Sequence, residues 1–261
     1  MGRLSLMPND QKAQHMTDSL SVTVLGASGS YAGPNGACTG FLVQSPGANV
    51  WLDAGPGTLA NLQRHIRLRE LSAIVLTHEH PDHWLEIPVV YAAVRHYERR
   101  KPVLVYGTAG TLALAEDLCP ALPEAFEWRV IADGDSATIG DQDWTFSRTE
   151  HYVETMGTRV DVGERSFAFT ADTGPGWGLS RLGKGINLAI SESTFLSDGE
   201  LDAILHLSAR QAGSLAAEAG IERLVLSHLA PGQDADAHQL EAEAAFGGAV
   251  TIATIGETYT V

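Results

Sequence analysis

Leu71-Ser72-Ala73-Ile74-Val75-Leu76-Thr77-His78-Glu79-His80-Pro81-Asp82-His83 is the stretch on which the reading of this chain turns. Its first half is a short apolar run of the kind that forms a buried strand. Its second half places three imidazoles and the Asp82 carboxylate within six positions, where that strand spills into a loop. Imidazole and carboxylate are the ligands that suit zinc and related divalent ions. Residues two apart in extended backbone point the same way, so His78 and His80 converge while Glu79 faces away. Pro81 disfavours helical backbone at His80 and suits the first position of a following helix. Asp82 and His83 then fall in that first turn and point back towards the histidines. One segment thereby offers ligands to two ions. A polar loop with chance histidines is the competing reading, and the spacing behind a strand disfavours it.

Outward from this stretch, strands and helices alternate. Residues 21–26 read as a valine-rich strand, followed by a glycine-rich loop at 26–40. Residues 41–44 and 49–53 form a hairpin about Pro46-Gly47. Helical spacing runs over 58–67, 85–97, 108–118, 208–219 and 234–246. Further strands are expected at 72–76, 103–106, 126–131, 144–150, 157–162, 166–170, 188–191 and 224–227, with a closing strand at 250–253. This is a layered α/β pattern without an internal linker. Residues 1–18 are polar and aperiodic, so they read as a flexible leader before a single domain at 19–261.

The chain has 261 residues and a formal charge of −15, with a pI near 4.9. Such a balance opposes non-specific attraction to nucleic acid, which relies on lysine and arginine. Two bound divalent cations would reverse the sign locally, so a small anion can still bind there. Cys38 and Cys119 form no CxxC pair, which argues against a disulfide framework and fits a reducing cytoplasm. No run is long and apolar enough to span a membrane, and no signal peptide is evident.

Two ions need more ligands, and strand ends supply them. His151 follows the strand at 144–150. Asp172 lies in Thr170-Ala171-Asp172-Thr173-Gly174, and His228 in Leu226-Ser227-His228-Leu229. Strand-to-loop junctions are the usual place for functional groups on an α/β scaffold. His15, His65, His96 and His238 belong to no motif and read as surface histidines. Trp84, Tyr91, Trp177 and Phe195 suit either a core or a wall against a nucleobase.

The set resembles the metallo-β-lactamase superfamily from about residue 21 to residue 261. The resemblance implies a four-layer αββα sandwich with a dinuclear metal site. It implies that His78, His80 and His151 hold one ion, that Asp82, His83 and His228 hold the other, and that Asp172 bridges them. It also makes Asp53 the support of a ligand histidine from behind, with a plain turn-forming aspartate as the near alternative. Zinc is the default metal for these ligands, with Mn2+ or Fe2+ open.

Two further stretches, Ile190-Ser191-Glu192-Ser193-Thr194-Phe195 and His206-Leu207-Ser208-Ala209-Arg210-Gln211-Ala212-Gly213, look like the ribonuclease Z-like phosphodiesterases. On that match His206 is a general acid and Glu192 orients it. His206, Glu192 and the ligand Asp82 form the expected catalytic set. Two ions lower the pKa of a shared water towards ~7 and supply hydroxide to attack phosphorus. His206 then protonates a poor alkoxide leaving group, a contribution of typically ~10²–10⁴-fold.

Members that process transfer RNA carry a long basic arm between the ligands matching His151 and Asp172. Only twenty residues separate them here, with no such arm. The remaining members act on small phosphodiesters, and the atypical cyclic-nucleotide phosphodiesterases look closest. The expected substrate is therefore a 3′,5′-cyclic nucleotide such as cAMP. A lactonase or other carboxylic-ester hydrolase, a ribonuclease Z-like nuclease and a non-catalytic nucleotide sensor are the alternatives. A Glu–His pair favours the first reading, because a lactone needs less help with its leaving group. Such relatives often form homodimers, and the sequence leaves the oligomeric state open.

Overall fold

The computed structural model describes residues 19–98, 101–200 and 204–261. The leader assigned to residues 1–18, with His15, lies outside them. Fourteen strands are seen among the described residues. They are β1 (Ser21–Gly26), β2 (Gly40–Gln44), β3 (Asn49–Leu52), β4 (Ala73–Leu76), β5 (Val103–Gly107), β6 (Phe126–Val130), β7 (Ser136–Ile139), β8 (Gln142–Arg148), β9 (Met156–Val162), β10 (Arg165–Phe169), β11 (Leu188–Glu192), β12 (Arg223–Ser227), β13 (Val250–Ile252) and β14 (Thr258–Thr260). They build two seven-stranded sheets, in the orders β14-β1-β2-β3-β4-β5-β6 and β13-β12-β11-β10-β9-β8-β7.

Strict alternation within the strands creates the layers. In β1 to β4, Val22, Val24, Phe41, Val43, Val50, Leu52 and Val75 turn inward, to meet Trp144, Phe146, Phe167, Phe169, Ile190 and Val225 of the other sheet. The residues between them, including Leu42, Trp51, Ile74 and Leu76, turn outward under the helix Ile87–Ala93 and its neighbours. Ala168, Ala189, Leu224 and Leu226 do the same on the second sheet, beneath the helices Ala209–Ala219 and Ala235–Phe246. Both faces of each sheet are therefore apolar. A sheet of that kind needs cover on both sides, and helix, sheet, sheet and helix is the stacking that supplies it. This is the αββα fold expected from the sequence.

Several elements differ from the sequence reading. The helix expected at 58–67 ends at Leu62. The one expected at 85–97 breaks into Ile87–Ala93 and a π-helical turn at Val94–Glu98. The strand at Val250–Ile252 does not close the chain, because β14 continues to the outer edge of β1. β14 and β7 carry few buried side chains and so little alternation to read. Trp84, Tyr91 and Trp177 belong to the core clusters, which removes them from any wall against a ligand. His65 and His96 are exposed as expected. His238 is not: it is fully buried, with Nδ1 2.9 Å from Ser193 Oγ.

Candidate metal centre

β4 is parallel to both neighbours in the centre of its sheet. It carries the chain straight to Thr77 and His78 at the rim of the sandwich. Pro81 starts a short helix, Pro81–Trp84, behind an extended His80, as the sequence requires. The Trp84 indole N–H donates to the Glu79 carbonyl (2.9 Å) and pins this turn from below. Chain exits from β8, β10 and β12 deliver His151, Asp172 and His228 to the same rim. His228 and Ala171 both hold a left-handed backbone (φ 60 and 53), and Asp53 does likewise at the exit of β3 (φ 55). Non-glycine residues adopt this region at a cost, and it clusters where function sets the direction of a side chain.

All seven expected ligands come together. His78, His80, His151 and Asp172 form one group, and Asp82, His83 and His228 a second, each with ligand atoms within 4.8 Å of one another. Asp172 faces both. Its Oδ2 lies 3.6 Å from His78 Nε2 and 3.7 Å from His151 Nε2. Its Oδ1 lies 3.2 Å from His83 Nε2 and 3.3 Å from His228 Nε2.

Hydrogen bonds behind the rings decide which nitrogens are presented. His83 Nδ1 lies 2.7 Å from Asp53 Oδ2. The Thr77 hydroxyl gives its one proton to Asp53 Oδ2 (2.9 Å), so it accepts from His78 Nδ1 (3.1 Å). The Thr194 hydroxyl gives its proton to Glu192 Oε2 (2.7 Å) and accepts from His228 Nδ1 (3.0 Å). His151 Nδ1 donates to the Leu205 carbonyl (2.9 Å). Four rings therefore direct Nε2 towards Asp172. Thr77 and Thr194 were not singled out as site residues from the sequence. The only signal was position: one abuts the histidine run, and the other sits inside the Ile190–Phe195 stretch.

This arrangement fits a pair of cations. His78 Nε2, His83 Nε2 and Asp172 Oδ1 are buried without a hydrogen-bond partner. Buried polar atoms are otherwise almost always paired. His151 Nε2 and His80 Nδ1 approach to 3.1 Å, a contact that a shared cation relieves. The donor set is nitrogen and oxygen throughout, which suits zinc and its neighbours.

The charges follow from burial and neighbours. Burial pushes the His78 imidazolium well below its usual range, and the nearby His83 adds to the effect. Burial acts against ionised Asp82, yet His83 and His228 outweigh it and hold that carboxyl below the usual range. Burial also opposes a charged His206, but the Glu192 carboxylate beside it lifts the ring to about 9. His206 Nδ1 lies 3.1 Å from Glu192 Oε1 and 4.0 Å from Asp172 Oδ2, so both residues sit beside the ligand groups. A glycine-rich loop covers the other flank, where the Ser30 amide donates to Asp82 Oδ2 (2.8 Å).

Comparison with known proteins agrees with this architecture. Residues 48–229 match the Beta-lactamase superfamily domain. An uncharacterized protein of Mycobacterium tuberculosis is 31% identical, with 93% of each chain covered. The crystal structure of the metallo-beta-lactamase fold protein YhfI from Bacillus subtilis superposes with a TM-score of 0.86 at 27% identity, covering 94% of this chain and 100% of that one. The short form of human tRNase Z gives a TM-score of 0.75 at 19% identity, over 92% of this chain and 98% of that one, a likeness of fold. On the matched domain, the shared fold and the clusters of histidine and aspartate at its rim, the chain belongs to the beta-lactamase superfamily and is a metal-dependent hydrolase.

Proposed function

We propose that the protein hydrolyses small phosphodiesters, foremost 3′,5′-cyclic nucleotides such as cAMP. One observation carries this reading: the His206–Glu192 pair stands beside the ligand groups, with the His206 side chain 16% exposed and Glu192 fully buried. A proton donor held there serves a poor alkoxide leaving group and adds little to the opening of a lactone.

The residues divide the work. His78, His80 and His151 would hold one cation, Asp82, His83 and His228 the other, and Asp172 both. Zinc is the first choice, with Mn2+ or Fe2+ as alternatives. Bound cations supply positive charge for the phosphoryl oxygens and acidify a water to act as nucleophile. Glu192 receives His206 Nδ1–H, which fixes the ring and leaves Nε2 to deliver a proton to the leaving oxygen. Asp82 completes the catalytic set, with Ser30 and His228 both on its Oδ2.

The interval between His151 and Asp172 is taken up by the antiparallel hairpin of β9 and β10, leaving no basic arm for transfer RNA. With a charge of −15, a small anion drawn to the cations is the better substrate. The two cysteines are buried and unpaired, which fits a cytoplasmic enzyme. Among the described residues no helix is long and apolar enough to cross a membrane. We place residues 19–261 in one metallo-hydrolase domain.

The test is a panel run on metal-analysed protein, with cAMP, bis-p-nitrophenyl phosphate, a precursor transfer RNA and an aliphatic lactone. Chelator-sensitive cleavage of cAMP to the linear monophosphate is expected. Efficient lactone turnover with inert phosphodiesters would overturn the reading.

A further inference from the structure

We infer that Thr194 is a positioning residue that ties the second cation site to the proton donor through one hydroxyl. The inference rests on the phosphodiesterase reading for its kinetic half and on the ligand geometry alone for its binding half.

The geometry is closed on all sides. The Thr194 hydroxyl donates to Glu192 Oε2 (2.7 Å) and accepts from His228 Nδ1 (3.0 Å). It also lies 3.3 Å from His206 Nδ1, the atom that forks onto both Glu192 oxygens at 3.1 and 3.2 Å. Glu192 accepts in addition from the Thr173 amide (2.6 Å) and the Leu207 amide (3.1 Å). The Thr194 amide donates in turn to the Leu207 carbonyl (2.9 Å), which fixes its own backbone against the His206 segment.

A hydroxyl has one proton to give. Because that proton is committed to Glu192, His228 must carry its hydrogen on Nδ1 and present Nε2 to Asp82 and Asp172. Without the hydroxyl, the buried His228 Nδ1 loses its acceptor and Glu192 loses one of its donors. The ring is then free to change tautomer or rotate, and the Glu192–His206 pair is held less firmly. Thr77 does the same for the other half of the site, joining His78 to Asp53, which itself holds His83.

The experiment compares the wild type, Thr194→Val and Thr194→Ser in two measurements. Zinc is titrated against a competing chelator, and kcat and KM are measured at saturating zinc for cAMP and for bis-p-nitrophenyl phosphate, whose leaving group needs no proton. Thr194→Val is expected to weaken the second zinc by about 10–100-fold while leaving the first nearly unchanged. Its kcat on cAMP should fall at least about tenfold further than its kcat on the aryl ester, with KM less affected. Thr194→Ser should restore both. Wild-type affinity for the second zinc in Thr194→Val, or equal losses on the two substrates, overturns the inference. So does a folded Thr194→Ser that behaves like Thr194→Val, because methyl packing would then be the cause. If circular dichroism shows that Thr194→Val does not fold, Thr194→Ala replaces it in the same measurements. If the wild type cleaves neither phosphodiester, the proposed function fails, and the zinc titration alone decides the hold of Thr194 on His228.

Discussion

The Asp53 carboxylate lies 2.7 Å from His83 Nδ1, and neither side chain reaches solvent. The same carboxylate takes the Thr77 amide (2.8 Å) and the Thr77 hydroxyl (2.9 Å). It therefore supports His83 directly and His78 through Thr77, one histidine from each ligand group. Asp53→Asn keeps the left-handed backbone, which asparagine tolerates, while removing the charge. It should weaken zinc binding by about 10–100-fold in a chelator competition. Loss of a charged, buried hydrogen bond should also lower stability by roughly 1.5–3 kcal/mol in urea denaturation. Unchanged zinc affinity would reduce Asp53 to a turn residue.

Asp172 gives a different signature, because its two oxygens face different groups. Asp172→Ala should bind neither ion stably, whereas His228→Ala should retain the ion held by His78, His80 and His151. Elemental analysis after desalting distinguishes the two. Chelation of the wild type should lower Tm and readdition of zinc should restore it, since a ligand that binds only the folded state stabilises it by mass action. Equal metal content in the two variants would mean that Asp172 serves one group only.

His206 and Glu192 should separate catalysis from metal binding. His206→Ala is expected to keep both ions and lose about 10²–10⁴-fold in kcat on cAMP. Glu192→Gln should follow the same direction, because an amide cannot accept every donor now directed at the carboxylate. Losses should shrink on an aryl ester. A His206→Ala variant with wild-type kcat on cAMP would remove His206 from proton transfer.

The clustering of the candidate metal ligands was legible in the sequence for a physical reason. Ligand side chains must leave strand ends in fixed directions, so they fall at strand exits with characteristic spacing, as His78, His80, Asp82 and His83 do. The layers were legible because each buried strand alternates between two apolar faces. The hydroxyl network was not, because Thr77 and Thr194 are common strand-end residues whose role depends on the partner of their single proton. β7 and β14 escaped notice because they bury one side chain between them, so no apolar run marks them. His238 escaped because nothing local to its helix shows that the Ser193 segment covers it.

His238 yields a prediction about pH. Its ring is buried, Nδ1 bonds Ser193 Oγ, and Nε2 has no hydrogen-bond partner. Burial lowers its pKa below the ordinary 6.5, and the nearby Glu241 and Asp234 oppose this without reversing it. The unfolded chain therefore binds a proton near pH 6.5 that the folded chain refuses. Stability contributed by the neutral ring is fully present above that pH and is lost as pH falls through it. His78, His80 and His151 are lowered as well, so the wild type alone cannot isolate His238. His238→Gln, compared with the wild type in zinc-saturated urea denaturation at several pH values, removes only this contribution. The wild type should lose on the order of 1 kcal/mol more than the variant per pH unit just below 6.5. Parallel curves would mean that His238 is protonated in the folded state, and that its buried Nε2 has found a partner.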